Sequence, residues 1–113
     1  MLRIQYSPMA LKDLQDIDAY IKVNWGEEIS KQILKKITTD IRRLELYPES
    51  GVSLANMIHV PTEYRYMYTQ KNYVFYYLES ETVRIVRVLN EQQDYLLQLF
   101  GTNLESIENN QKD

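Results

Sequence analysis

The sequence has no cysteine, three glycines, three prolines and a single histidine in 113 residues. Without cysteine, disulfides and thiolate metal sites are excluded, and a cytoplasmic location is the natural expectation. A metal centre needs about three or four convergent ligands, so His59 alone is thin material for one, and an ordinary loop histidine is the plainer reading. The few glycines leave little scope for a phosphate-cradling loop. Neither a Walker lysine motif nor a serine nucleophile elbow occurs. No window approaches the roughly 18 apolar residues that a membrane span requires. The opening Met1-Leu2-Arg3-Ile4-Gln5 lacks the apolar run of a signal peptide. Positive charge is not in excess either. The formal charge of −3 argues against a protein that coats nucleic acid by bulk electrostatics, yet it leaves room for a local basic patch.

What is present suits one small globular domain. A hydrophobic content of 44% supports a single modest core. We expect residues 1–101 to form the domain and 102–113 a polar tail, since that tail has no periodicity and carries Glu105, Glu108 and Asp113. Ten tyrosines against two phenylalanines favour half-buried faces and contact surfaces, because a tyrosine ring is apolar and its tip is polar.

Leu2, Ile4 and Tyr6 alternate with polar residues and read as a short strand. Ser7-Pro8 then reads as an N-cap with proline at the first helical position. Ala10, Leu14, Ile17 and Ile21 form the apolar stripe of a helix over 8–24, and Gly26 is expected to cap it in the left-handed region. A second helix over 27–46 carries Ile29, Ile33, Ile37, Ile41 and Leu44. So short a joint makes the two an antiparallel hairpin. Residues 52–63 show no period and read as a loop. Strands are expected over 64–69, 73–78 and 82–89, separated by turns short enough to make neighbours antiparallel. A last helix is expected over 91–100. The fold class is therefore α+β, in the order β-α-α-β-β-β-α, with the hairpin covering one face of a four-stranded, mostly antiparallel sheet. The opposite face, rich in tyrosine and arginine, is left as a candidate working surface.

Arg65, Arg84 and Arg87 lie on these strands, with Lys71 in a turn between two of them. Guanidinium forks match phosphate oxygens, so these residues are candidates for a phosphate-binding groove. The plainer alternative is solvated strand charge that discourages edge pairing. Strict alternation puts Arg84 and Arg87 on opposite faces unless a bulge intervenes. Tyr95 stands at the start of the last helix. A tyrosine beside arginines can transfer protons with a lowered pKa, or it can simply dock its helix.

The segments Tyr6-Ser7-Pro8, Ala10-Leu11-Lys12-Asp13-Leu14 and Ile17-Asp18-Ala19-Tyr20-Ile21 resemble the opening of RelE/ParE family toxins. So do Leu44-Glu45-Leu46-Tyr47-Pro48-Glu49-Ser50-Gly51 and Lys71-Asn72-Tyr73-Val74-Phe75-Tyr76-Tyr77. Thr82-Val83-Arg84-Ile85-Val86-Arg87-Val88-Leu89-Asn90 with Asp94-Tyr95 resembles the closing signature of the family. The resemblance spans about residues 3–101. It implies the toxin of a type II toxin–antitoxin system, active in bacterial growth arrest and plasmid stabilisation and neutralised by a cognate antitoxin in a hetero-oligomer. RelE-like members are ribosome-dependent mRNA endoribonucleases, and ParE-like members inhibit DNA gyrase. In the first case Arg65 and Arg87 would hold phosphate and Tyr95 would act as acid or base, with no cofactor. In the second the sheet face and last helix would grip a protein. Val74 and Asn90 depart from the ribonuclease pattern, which usually has arginine and histidine there. Of the two, mRNA cleavage is preferred as the commoner activity in the family.

Overall fold

A computed structural model describes residues 1–58 and 62–100. Strand β1 (Arg3–Tyr6) leads through Ser7 into helix α1 (Pro8–Trp25). The start is set as the sequence suggests. Ser7 Oγ accepts from the Ala10 N–H at 2.9 Å, and Pro8 fills the first turn, where a missing N–H leaves nothing unpaired. Gly26 joins α1 to α2 (Glu27–Arg42) at φ 97° and ψ 166°. The positive φ was expected. The extended ψ was not, and it makes the position still more particular to glycine. A short 3₁₀ turn, Arg43–Glu45, completes the second helical stretch.

The sheet has five strands rather than four, ordered β1-β5-β4-β3-β2. The extra strand is β2 (Val52–Ser53), which pairs antiparallel with Tyr66 and Arg65. Two residues are too few to show any alternation, which is why this stretch reads as loop. Helix α3 (Leu54–Ile58) follows in the same stretch. Strands β3 (Arg65–Thr69), β4 (Asn72–Glu79) and β5 (Thr82–Asn90) form an antiparallel meander, and β1 lies parallel to β5. Gln70 and Lys71 both hold positive φ, at 50° and 65°, as a tight turn between antiparallel strands demands. Helix α4 (Tyr95–Phe100) starts later than expected. The intervening turn is tied by Asn90 and Gln93, and the Asp94 carboxylate caps the helix by accepting from the Leu97 N–H at 3.1 Å.

The main core lies between the hairpin and one sheet face. Ala10, Ile37, Ile41 and Leu44 of the helical layer meet Val74, Tyr76, Val83, Ile85 and Val88 of the sheet. Leu14, Ile17 and Ile33 are partly buried against it. Ile29 continues the stripe but is 40% exposed, because the hairpin overhangs the sheet at that end. On the other face Phe75 and Leu89 are buried beneath Leu54, Leu99 and several tyrosines. The outer face is therefore partly covered by the short helices, not bare.

One irregularity governs the working residues. Phe75 opposes Arg87 but Tyr76 opposes Ile85, so Val86 is an extra residue in β5. The bulge lets Ile85 and Val88 both face the core. It also brings Arg87, opposite Phe75, onto the same side as Arg84, opposite Tyr77.

Candidate functional site

The bulge lies where β1 has ended, so the outer edge of β5 has lost its strand neighbour. Helix α1 supplies side chains instead. Ser7 Oγ donates to the Val86 carbonyl at 2.7 Å, and the Asp13 carboxylate accepts from the Val88 N–H at 3.0 Å. The same carboxylate receives Arg87 in a two-pronged pair, Nε to Oδ2 at 2.7 Å and Nη2 to Oδ1 at 2.9 Å. Both side chains are nearly buried, at 13% and 10% exposure. Hydrogen bonding to Asp13 raises the Arg87 pKa beyond its already high value, against the opposing effect of burial. The remaining prong, Nη1, reaches Gln98 Oε1 of α4 at 3.3 Å. Arg87 thus ties α1, β5 and α4 together.

Arg65 points elsewhere. Its register partner is Tyr76, on the helix-facing side. Its Nη1 donates to the carbonyls of Gly51 at 3.0 Å and Glu49 at 3.4 Å. The Tyr76 hydroxyl completes this clamp, accepting from the Gly51 N–H and donating to the Pro48 carbonyl, both at 2.9 Å. Burial raises the Tyr76 pKa above its usual value of 10.0. A Cβ at position 51 would collide with the Tyr76 ring and hydroxyl and stand 2.8 Å from the Tyr66 carbonyl. Glycine is required there by space.

Of the sequence candidates, then, Arg65 and Arg87 are not brought together; strand β4 lies between them. Tyr95 opens α4, three residues before the Gln98 that meets Arg87, and its side chain lies outside what is described. His59 and the expected tail, 102–113, also lie outside the described residues. Val74 is fully buried in the main core. Asn90 holds the turn into α4, its side-chain oxygen accepting from the Gln92 N–H at 3.0 Å. Asp13 was missed by the sequence reading, though it carried a signal. It lies three residues after Ala10 and one before Leu14, so a carboxylate sits on the buried stripe and demands a partner.

Two open surfaces among the described residues adjoin these elements. One is a groove of about 700 Å³ between the overhanging end of the hairpin and the ends of the central strands. Its floor is apolar, formed by Ile17, Ile21, Ile29 and Ile33, with Tyr20 and Trp25 at the helical lip. Those two rings meet edge-on at 5.7 Å. The opposite lip is polar, with Lys71, Glu91 and Gln93. The other surface is the outer sheet face, where Tyr66, Tyr68, Tyr73 and Phe75 form one network of ring contacts and Tyr64, Tyr77 and Phe100 form a second. Among the described residues no acidic or histidine cluster suits a metal ion, and no helix is long and apolar enough to cross a membrane.

A helical hairpin on one face of a mixed sheet, with the short helix α4 after the last strand, defines a small α+β domain. The model of the ParE toxin of the type II toxin–antitoxin system parDE matches residues 4–95, and the chain belongs to that family. Among solved structures, it is similar to the chromosomal ParDE toxin–antitoxin system from P. aeruginosa, with a TM-score of 0.68 and 17% identity over 80% of this chain and 96% of that one. A chain of the YoeB–YefM complex from Staphylococcus aureus aligns with a TM-score of 0.48 and 18% identity over 79% of this chain and 95% of that one. No curated protein sequence matches.

Proposed function

We propose that this toxin arrests bacterial growth without cleaving RNA, by gripping a protein target, DNA gyrase, as ParE-like members do. The observation that carries the reading is the commitment of both candidate arginines. Arg87 is held in a two-pronged pair by Asp13, and Arg65 is bound to backbone carbonyls on the helix-facing side. Neither guanidinium is poised to meet a scissile phosphate, and the acidic balance disfavours approach to the ribosome. Both arginines instead stiffen a scaffold that presents a sheet face and a groove.

The apolar groove suits a segment of the cognate antitoxin, lying with an amphipathic face against Ile17, Ile21, Ile29 and Ile33. The working pair is then a hetero-oligomer in the cytoplasm, where the antitoxin is made and the target resides. A second reading keeps Arg65, Arg87 and Tyr95 as the catalytic set of an mRNA endoribonuclease acting at the ribosome. What favours it is that α4, which Tyr95 opens, is joined to Arg87 through Gln98.

The test is inducible expression in bacteria, reading growth, mRNA ends and plasmid supercoiling in parallel. Growth arrest with intact mRNA and disturbed supercoiling supports the gyrase reading. Fresh mRNA ends that vanish in Tyr95→Phe establish the ribonuclease instead. Co-expression of a small neighbouring gene should restore growth in either case.

A further inference from the structure

The outer sheet face carries chemistry that the groove does not. Tyr66 and Tyr73 meet at 5.4 Å, and Tyr73 and Tyr68 at 5.4 Å, so three rings form a continuous strip across β3 and β4. Tyr68 is half exposed at 51%, which leaves the end of the strip open. Its hydroxyl donates to Glu91 Oε2 at 2.5 Å. That bond is the chief reason its pKa is raised. Farther along the face the Tyr77 hydroxyl donates to Glu79 Oε2 at 3.3 Å, and Tyr64 stacks near Tyr77 at 6.0 Å.

Two arginines of this face already have partners. Arg84 donates to Gln5 Oε1 at 2.6 Å and pairs with Glu79 at 3.5 Å, and Arg87 is held by Asp13. Among the described residues neither Glu91 nor Glu63 makes an ion pair with a cation. The face therefore offers ring surfaces whose hydroxyls donate to carboxylates, and of these carboxylates Glu91, beside Lys71 in the adjoining turn, makes no ion pair among the described residues. A phosphate would meet the Glu91 carboxylate unfavourably. A guanidinium would stack on the rings and reach a carboxylate at the same time.

We propose that the tyrosine face centred on Tyr68 and Glu91 docks an arginine-bearing segment of a protein partner. The guanidinium lies on the Tyr68 ring and donates to Glu91 Oε1, the carboxylate oxygen that Tyr68 does not use. This deepens the reading that the toxin grips a protein, and it names the chemistry of the segment gripped.

The experiment titrates the full chain with a short alternating arginine–glycine peptide and follows tyrosine ring resonances by NMR. The controls are the same peptide with citrulline, which is neutral and nearly isosteric, and a single-stranded RNA of matched length. The Tyr68 ring should shift with the arginine peptide and stay still with the citrulline peptide and the RNA. Tyr68→Ala and Glu91→Gln should each weaken binding about two- to fivefold, whereas Glu28→Gln on the first turn of α2 should leave it unchanged. Equal weakening by Glu28→Gln would reduce the effect to bulk charge and overturn the proposal. So would a Tyr68 shift on RNA, or no binding of the arginine peptide. The supercoiling readout keeps the two failures apart. Tyr68→Ala that loses the peptide but still disturbs supercoiling removes this docking site and leaves the proposed function standing. Cleaved mRNA removes the function whatever the peptide does.

Discussion

Replacement of Arg87 by alanine isolates the junction on which the site is built. The Asp13 carboxylate would lose two of its three donors among the described residues and keep only the Val88 N–H. Asp13 is 8% exposed, so water recovers little of that loss. Removing one member of a buried pair typically costs about 3–5 kcal/mol, because the other charge is stranded. In a domain this size that lowers the melting temperature by roughly 10–25 °C. The double variant Asp13→Leu/Arg87→Met should be milder. It strands no charge and leaves only the Val88 N–H unpaired, at about 1–3 kcal/mol. A thermodynamic cycle of single and double variants, by urea unfolding at low and high salt, measures the coupling. The coupling should persist in high salt, because nearly buried pairs are weakly screened. If Arg87→Ala costs under about 1 kcal/mol, the pair behaves as an exposed one. The claim that this guanidinium is committed to scaffolding then fails, and the case for catalysis by Arg87 revives.

Gly51→Ala should destabilise by about 1–3 kcal/mol in thermal melts, since its Cβ must push Tyr76 out of the clamp on the 48–51 loop. An unchanged melting temperature would show that the loop gives way freely. Ser7→Ala should cost about 1 kcal/mol or somewhat more in urea unfolding, losing both the α1 cap and the bond to the Val86 carbonyl. Burial raises the folded-state pKa of Tyr6 and Tyr76 above the unfolded value of about 10, so their stabilisation is complete below pH 10 and is lost as pH rises beyond it. A melting temperature that falls above pH 10, and falls less in Tyr76→Phe, is the expected result. Trp25→Ala at the lip of the groove should weaken antitoxin capture while leaving the melt unchanged, as read by titration calorimetry with the cognate antitoxin.

The hairpin was legible because its signals are local. Ser7-Pro8 marks a start, Gly26 a break, and the isoleucine stripe of α2 keeps its period over four turns. The meander was legible because turn residues punctuate runs of β-branched and aromatic residues. The bulge was not. From Thr82 the alternation breaks at the adjacent apolar pair Ile85-Val86, where the bulge falls, but such a pair also occurs in regular strands, and what lies alongside the bulge is Ser7 and Asp13 of the α1 region. The pairing with Ser7 and Asp13 cannot be read from β5 alone. Strand β2 escaped notice because its two residues pair through the backbone alone. The arginines were found by type, but their type did not reveal their partners. Arg87 finds an acid 74 residues away on α1, and Arg65 finds bare carbonyls. Asp13 on an apolar stripe was the one sequence clue that a buried cation was needed.

On the gyrase reading proposed above, this toxin acts by binding a protein and not by cutting RNA. The deciding experiment uses the purified chain, purified DNA gyrase and relaxed plasmid, with a parallel reaction of programmed ribosomes and a defined mRNA. The expected result is loss of supercoiling as toxin is added, relief by cognate antitoxin, and uncut mRNA on the ribosomes. Undiminished supercoiling together with discrete mRNA cleavage that disappears in Tyr95→Phe would contradict it.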